Sequence, residues 1–186
     1  MYFKGDIKYL EDILSQIETP VLNQSTFYFF NQLVFDTPLL GQFIHHMGIY
    51  MTTHRACVHF SYQGVVFRLP ASGNKDALWL KISCKPLDWQ LSAVVQVLDS
   101  FSSPLPTLES LKIQVHHEDW KDEIEVTQWQ EFLHPFTFVK EMTLGSEDSF
   151  RLVAPPLQEL ARERATGVLP TLETLFLGVD SCQTQP

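Results

Sequence analysis

The sequence predicts an α/β solenoid, with parallel strands on a concave face and helices on a convex one, and three observations predict it. An eleven-residue phrase, LPTLESLKIQV from Leu105, returns almost unchanged as LPTLETLFLGV from Leu169. The template they share, L-x-x-L-x-[LI], recurs at a steady interval: its last apolar positions Ile82, Ile113, Leu144 and Leu177 are 31, 31 and 33 residues apart. Between the copies run segments with apolar residues at i, i+3, i+4 and i+7, the spacing of one helix face. A unit of one strand and one helix cannot bury both apolar faces by itself, so such units must stack.

Taken in order, Leu10, Ile13, Leu14 and Ile17 form the first helical stripe, and Leu22, Ser25 and Phe27 overlay on the strand template. A second stripe, Leu40, Phe43, Ile44 and Met47, leads to a strand at Arg55, Val58 and Phe60, 33 residues beyond Phe27. The interval then shortens to 22 residues, from Phe60 to Ile82. Here Val65 to Leu69 reads as an additional extended piece and Ser72, Gly73 and Asn74 as a turn, so an irregular hairpin replaces a helix. Ala77, Leu80 and Ile82 follow as a strand, then Leu91, Val94, Val95 and Leu98 as a helix that Asp88 precedes. After the strand of Leu108, Leu111 and Ile113 comes a helix of Trp129, Phe132 and Leu133. Thr127 and Gln130 have the spacing of a capping box on it, and Pro135 should end it, leaving Phe136 to pack from a loop. Trp89 and Trp129, near helix starts, are expected in the core. Val139, Met142 and Leu144 form the next strand, Leu157, Leu160 and Ala161 a helix running on to Ala165, and Leu172, Leu175 and Leu177 the last strand. Strands joined by helical crossovers are parallel. Prolines punctuate the elements without clustering into a linker, so residues 1–186 read as one domain.

Composition narrows the partners. With 13 Lys and Arg against 22 Asp and Glu, the net charge of -9 repels phosphate backbones and anionic bilayers. No nucleic-acid or membrane partner is therefore expected. The start MYFKGDIKYL lacks the apolar core of a signal peptide, so an intracellular location, cytoplasmic or nuclear, is expected. Cys57, Cys84 and Cys182 are odd in number and far apart, fitting neither a disulfide framework nor a zinc site.

The strand template resembles leucine-rich repeats, with longer units and with Gly145 and Gly178, in place of asparagine, after two of the copies. A closer resemblance rests on the runs YLEDILSQIETPVLNQSTFYFFNQLVFDTPLLGQFI, DWQLSAVVQVLDS, TQWQEFLHPFTFVKEMTL and PPLQELARERATGVLPTLETLFL. These are similar to the leucine-rich-repeat-like region of fungal F-box-type proteins, a divergent mushroom family, over roughly residues 9 to 177. The phrases at 29–38 and 133–144 carry most of that specificity. The resemblance implies an irregular leucine-rich-repeat-like solenoid that recognises a protein or peptide client. In the family an N-terminal F-box docks on the Skp-type adaptor of a cullin-RING ubiquitin ligase while the repeats select the substrate. No stretch here reads as an F-box, so a ligase adaptor is an expected partner only if an F-box is supplied elsewhere.

In stacked repeats the strand residues pointing away from the helices offer the binding surface. Template alignment puts Thr26, His59, Lys81, Lys112, Thr143 and Phe176 there, with Tyr28, Ser83 and Gln114 next along. Such a mixed row of aromatic, cationic and hydroxyl groups suits a protein or peptide client. No catalytic residue, cofactor or metal is expected. The set His116, His117 and Glu118 is the nearest to a metal centre, but adjacent histidines point apart. His54, Cys57 and His59 are a second such set, in which strand alternation is expected to separate Cys57 from His59. No G-x-S-x-G turn or glycine-rich phosphate loop occurs. The acidic stretch from Glu118 to Glu125 reads as a solvated loop or a lure for a basic partner. A repeat array ending at Leu177 is expected to leave an uncapped strand edge prone to self-association.

Overall fold

The computed structural model describes residues 1–17, 24–30, 32, 34–46, 53–70, 76–101, 105, 108–116, 124–163 and 168–178, the side chains of 76, 160 and 163 apart. Among the described residues, eight strands are β1 (Tyr2–Gly5), β2 (Ser25–Phe30), β3 (Arg55–Ser61), β4 (Gly64–Pro70), β5 (Asp76–Ser83), β6 (Ser110–His116), β7 (Glu141–Leu144) and β8 (Thr174–Leu177). The same residues form five helices, α1 (Ile7–Leu14), α2 (Pro38–His46), α3 (Leu87–Ser100), α4 (Val126–Leu133) and α5 (Glu147–Glu163). The strands join one open sheet in the order β1-β2-β5-β4-β3-β6-β7-β8. Every neighbouring pair is parallel except the two that involve β4. The fold is therefore α/β with a mostly parallel sheet.

Each helical crossover carries the chain the same way along the sheet, which puts the helices on one face when crossovers are right-handed. The packing agrees, because α1 contacts α2, α2 contacts α3, α3 contacts α4 and α4 contacts α5. Between helices and sheet lies the core. Phe27, Leu80, Phe67, Val58, Ile113 and Leu144 form one continuous buried row across six strands. Edge-on aromatic contacts of Phe60 with Trp129 and Phe132 lock α4 onto that face.

Strand order departs from simple stacking in the middle of the sheet. β3 is not laid beside β2; it lies three places away, and the chain returns through β4 and β5 to fill the gap. The short interval after Phe60 is the cause, since it leaves room for tight reversals but none for a helix. Gly64 makes the first reversal possible. Its φ of +137° is unfavourable for other residues, and a Cβ there would lie 2.0 Å from the Ile82 carbonyl oxygen. The expected turn at residues 72 to 74 lies outside the described residues.

Side chains tie the helix layer to the sheet ends. The Glu11 carboxylate on α1 accepts from the Leu39 and Leu40 amides at the start of α2, where helix N–H groups lack partners. Buried Gln90 on α3 donates to the carbonyls of Ser61, Cys84 and Lys85, joining the ends of β3 and β5. The Ser149 hydroxyl on α5 accepts the Val115 amide where β6 outruns β7.

Some local expectations need correction. Trp129 is buried, whereas Trp89 is 49% exposed because it points off the sheet side of α3. α3 begins at Leu87, so Asp88 lies inside its first turn. The capping box does not form: α4 begins at Val126, and the Thr127 hydroxyl donates instead to the Glu125 side chain. α4 does end before Pro135, and Phe136 is buried outside it. α5 starts at Glu147, ahead of the expected stripe, and carries Pro155 and Pro156 internally. β1 has no counterpart among the expected strands.

Candidate recognition surface

Strand alternation decides what the uncovered face displays. Along each strand the residues between the core positions point away from the helices. Register then aligns them into rows. One row runs Tyr2, Thr26, Trp79, Arg68, Cys57, Lys112, Thr143 and Phe176. A second runs Lys4, Tyr28, Lys81, Val66, His59 and Gln114.

All eight expected contact residues, Thr26, Tyr28, His59, Lys81, Lys112, Gln114, Thr143 and Phe176, fall on this face. Thr26, Lys112, Thr143 and Phe176 keep the expected row, while His59 and Lys81 move into the row of Tyr28 and Gln114 because the template slips by two residues on β3 and β5. Ile113 pairs with Val58 and not with Phe60, and Phe27 pairs with Leu80 and not with Ile82. A slip of two preserves the face, since the strand period is two. The same period corrects the expectation for Cys57 and His59, which share the open face.

At the centre stand residues that template reading passed over. Arg68 lies over the Trp79 ring, 4.8 Å from its centroid, and is only 7% exposed. His59 meets His116 edge to face, with ring centroids 4.9 Å apart. Burial, reinforced by His116, Arg68 and Lys81, lowers the His59 imidazole to about 4, so the ring is neutral at neutral pH. Three buried nitrogens in this patch lack a hydrogen-bond partner: His59 Nε2, Arg68 Nε and Trp79 Nε1. Lys112 is 8% exposed, its stem lying close to Gly145, where a Cβ would be 3.1 Å from Lys112 Cε and 3.0 Å from Gln114 Cγ. Glycine after β7 thus leaves room for two open-face side chains.

The flanks differ from the centre. Tyr2 and Tyr28 rings touch at one edge, with centroids 5.5 Å apart. At the other edge Leu175, Phe176 and Leu177 are all exposed, and no described residue lies within 4 Å of a Cβ built on Gly178. Elsewhere, a groove of about 700 Å³ between α2 and α3 is lined in part by Asp36, His45, His46 and Gln96.

No group of three or more metal-ligating side chains converges among the described residues. His117 and Glu118 lie outside those residues, as does most of the acidic stretch, and His116 faces His59. Burial and Asp88 push the Cys84 thiol up to about 11, which keeps it protonated near neutrality. Among the described residues no helix is long and apolar enough to cross a membrane. Comparison with known proteins finds no matching family model, curated protein or solved structure.

Proposed function

We propose that the chain is a protein-recognition module, a leucine-rich-repeat-like solenoid that presents its open sheet face to a protein or peptide client. The observation that carries this reading is the sheet face on which none of the described helices packs. Parallel sheets in α/β folds are ordinarily covered on both sides, whereas here the helices pack on one side and the other displays aligned rows of aromatic, cationic and hydroxyl side chains. Surface complementarity there needs no cofactor. By resemblance, the client would be the substrate of a ubiquitin ligase, with the F-box and its adaptor supplied elsewhere.

The test is capture from the native cell extract by the intact chain and by Thr143→Arg and Phe176→Ala variants. A client held by the parent and lost by both variants supports the reading; capture unchanged by either variant rejects it. Co-capture of a Skp-type adaptor would support the ligase link. Stoichiometric zinc by elemental analysis would instead favour metal-assisted hydrolysis through His116, His117 and Glu118.

A second reading, self-association, is favoured by the exposure of Leu175, Phe176 and Leu177 on the β8 edge. Sedimentation that shows a concentration-independent monomer would remove it.

A further inference from the structure

The two edges of the sheet are unlike. Among the described residues, β8 borders it on one side and β1 on the other. At the β8 edge the sheet outruns its helix layer. α5 packs on β6 and β7, and Leu175 and Leu177, in register with the buried Met142 and Leu144 on the helix side, remain 43% and 61% exposed. At the β1 edge the helix layer overhangs the sheet, because α1 packs on β1 and on α2. Leu10 on α1 is buried, and at about 100° per residue Glu11 and Tyr9 stand on opposite flanks of the helix. Glu11 faces α2, whose first amides it accepts. Tyr9 and Ile13, one helical turn apart on the other flank, are exposed on the outer side of β1. Apolar cover is missing at one edge and spare at the other.

Hydrogen bonding supplies a second, independent match. Thr174 and Gly178 donate their amides to Lys140 and Leu144, so by the two-residue period the backbone groups of Leu175 and Leu177 point away from β7. On β1, Met1 accepts from Thr26, which turns Met1, Phe3 and Gly5 toward β2 and leaves the backbone groups of Tyr2 and Lys4 pointing outward. Both edge strands have four residues. Laid in parallel over their full length, Thr174 meets Tyr2, Leu175 meets Phe3, Phe176 meets Lys4 and Leu177 meets Gly5, and the outward groups of one edge meet those of the other. The same register keeps both faces, with Leu175 and Phe3 on the helix side and Phe176 and Lys4 on the open side.

We propose that copies of this chain join head to tail, β8 of one pairing in parallel with β1 of the next, so that Tyr9 and Ile13 of the second copy cover Leu175 and Leu177 of the first. This rests on the self-association reading and names the surfaces that meet. A symmetric pairing of β8 with β8 would bring two uncovered leucine edges together and leave Tyr9 and Ile13 bare. Contact between unlike surfaces makes a row or ring of copies in place of a closed pair. Each joint is narrow and each copy carries a net charge of -9, so assembly needs high protein concentration and salt to screen the repulsion.

Proline can disable either edge alone. It lacks an N–H, and at Leu175 or Lys4 the lost donor is one that points off the sheet. Leu175→Pro therefore blocks the β8 edge, and Lys4→Pro the β1 edge, without breaking a bond to the neighbouring strand.

The test is sedimentation velocity on the purified full chain, on each variant and on their equal mixture, over about a hundredfold range of concentration in about 0.3 M salt. Circular dichroism checks that each variant is folded, and Ile13→Lys with Leu177→Lys repeats the experiment through side chains alone should a proline variant fail to fold. The parent is expected to grow with concentration past about twice the monomer mass. Each variant should stay monomeric, and the mixture, in which one intact β8 edge meets one intact β1 edge, should form a dimer. Association kept by Lys4→Pro and lost by Leu175→Pro would show β8 pairing with itself, overturning the head-to-tail joint and leaving the self-association reading standing. A mixture that stays monomeric, or association that neither variant alters, would likewise overturn the joint. A parent that remains monomeric throughout would overturn both and leave client recognition untouched.

Discussion

The two faces of one sheet solve opposite problems with the same strands. On the helix side, Phe27, Leu80, Phe67, Val58, Ile113 and Leu144 are interchangeable in kind: apolar, fully buried and repeated from strand to strand. On the open side the paired row changes at every strand, from Thr26 to Trp79, Arg68, Cys57, Lys112 and Thr143. The difference teaches where specificity can reside. Burial selects only for volume and apolarity and therefore repeats, whereas a face left to solvent or to a partner is free to vary. Among the described residues buried polar atoms are left unmet on both sides, at His59, Arg68 and Trp79 on the open face and at Gln90 Oε1 on α3.

That contrast can be broken most forcefully from the helix side. Phe67→Ala removes a fully buried ring at the centre of the core row and should cost about 3–5 kcal/mol in chemical denaturation. A loss below about 1 kcal/mol would mean that the antiparallel insertion is not part of the cooperative core.

The next effect belongs to His59. Its native pKa of about 4 lies below the unfolded value of 6.5, so the unfolded chain takes up the proton first as pH falls. The neutral ring supports stability fully above pH 6.5, and that support is lost as pH falls toward 4. Allowing for the ring's partial exposure, about 1–2 kcal/mol is at stake. His59→Gln should flatten the denaturation midpoint over that range; an unchanged pH profile would show that the ring is solvated.

Arg68→Leu should alter stability by less than about 1 kcal/mol, because the lost stacking on Trp79 is offset by removal of an unmet donor. A large loss would make Arg68 structural. Smallest of all is Lys140→Met. The Lys140 and Glu109 side chains are joined at 2.9 Å across β6 and β7, and each raises or lowers the other's pKa in the direction of the ion pair. Both are exposed, so salt screens the pair and the melting temperature should not move measurably.

Much of the architecture was legible because strand and helix periods are local properties. The leucine phrase located β6, β7 and β8 and their mutual register, with Ile113, Leu144 and Leu177 in one row. It also found β2, β3 and β5, while β4 was read from the extended piece between Val65 and Leu69, and the outward positions it named lie on the sheet face opposite the helices. Register on β3 and β5 was not legible, because apolar positions two apart, such as Val58 and Phe60, satisfy the template equally well. Nor was the strand order, since equal sequence intervals do not reveal that β5 and not β3 lies beside β2.

By itself, then, the sequence determined most of the segments that extend or coil and most side chains that face the core, β1 and Trp89 apart. Those outcomes follow from periodic burial along a short stretch of chain. Only the tertiary structure decided that Arg68 lies on Trp79, that His59 meets His116 and that Lys112 lies close to Gly145. The partners in each contact stand on different strands or, for Gly145, just after one, and the sheet's pairing is what brings them within reach.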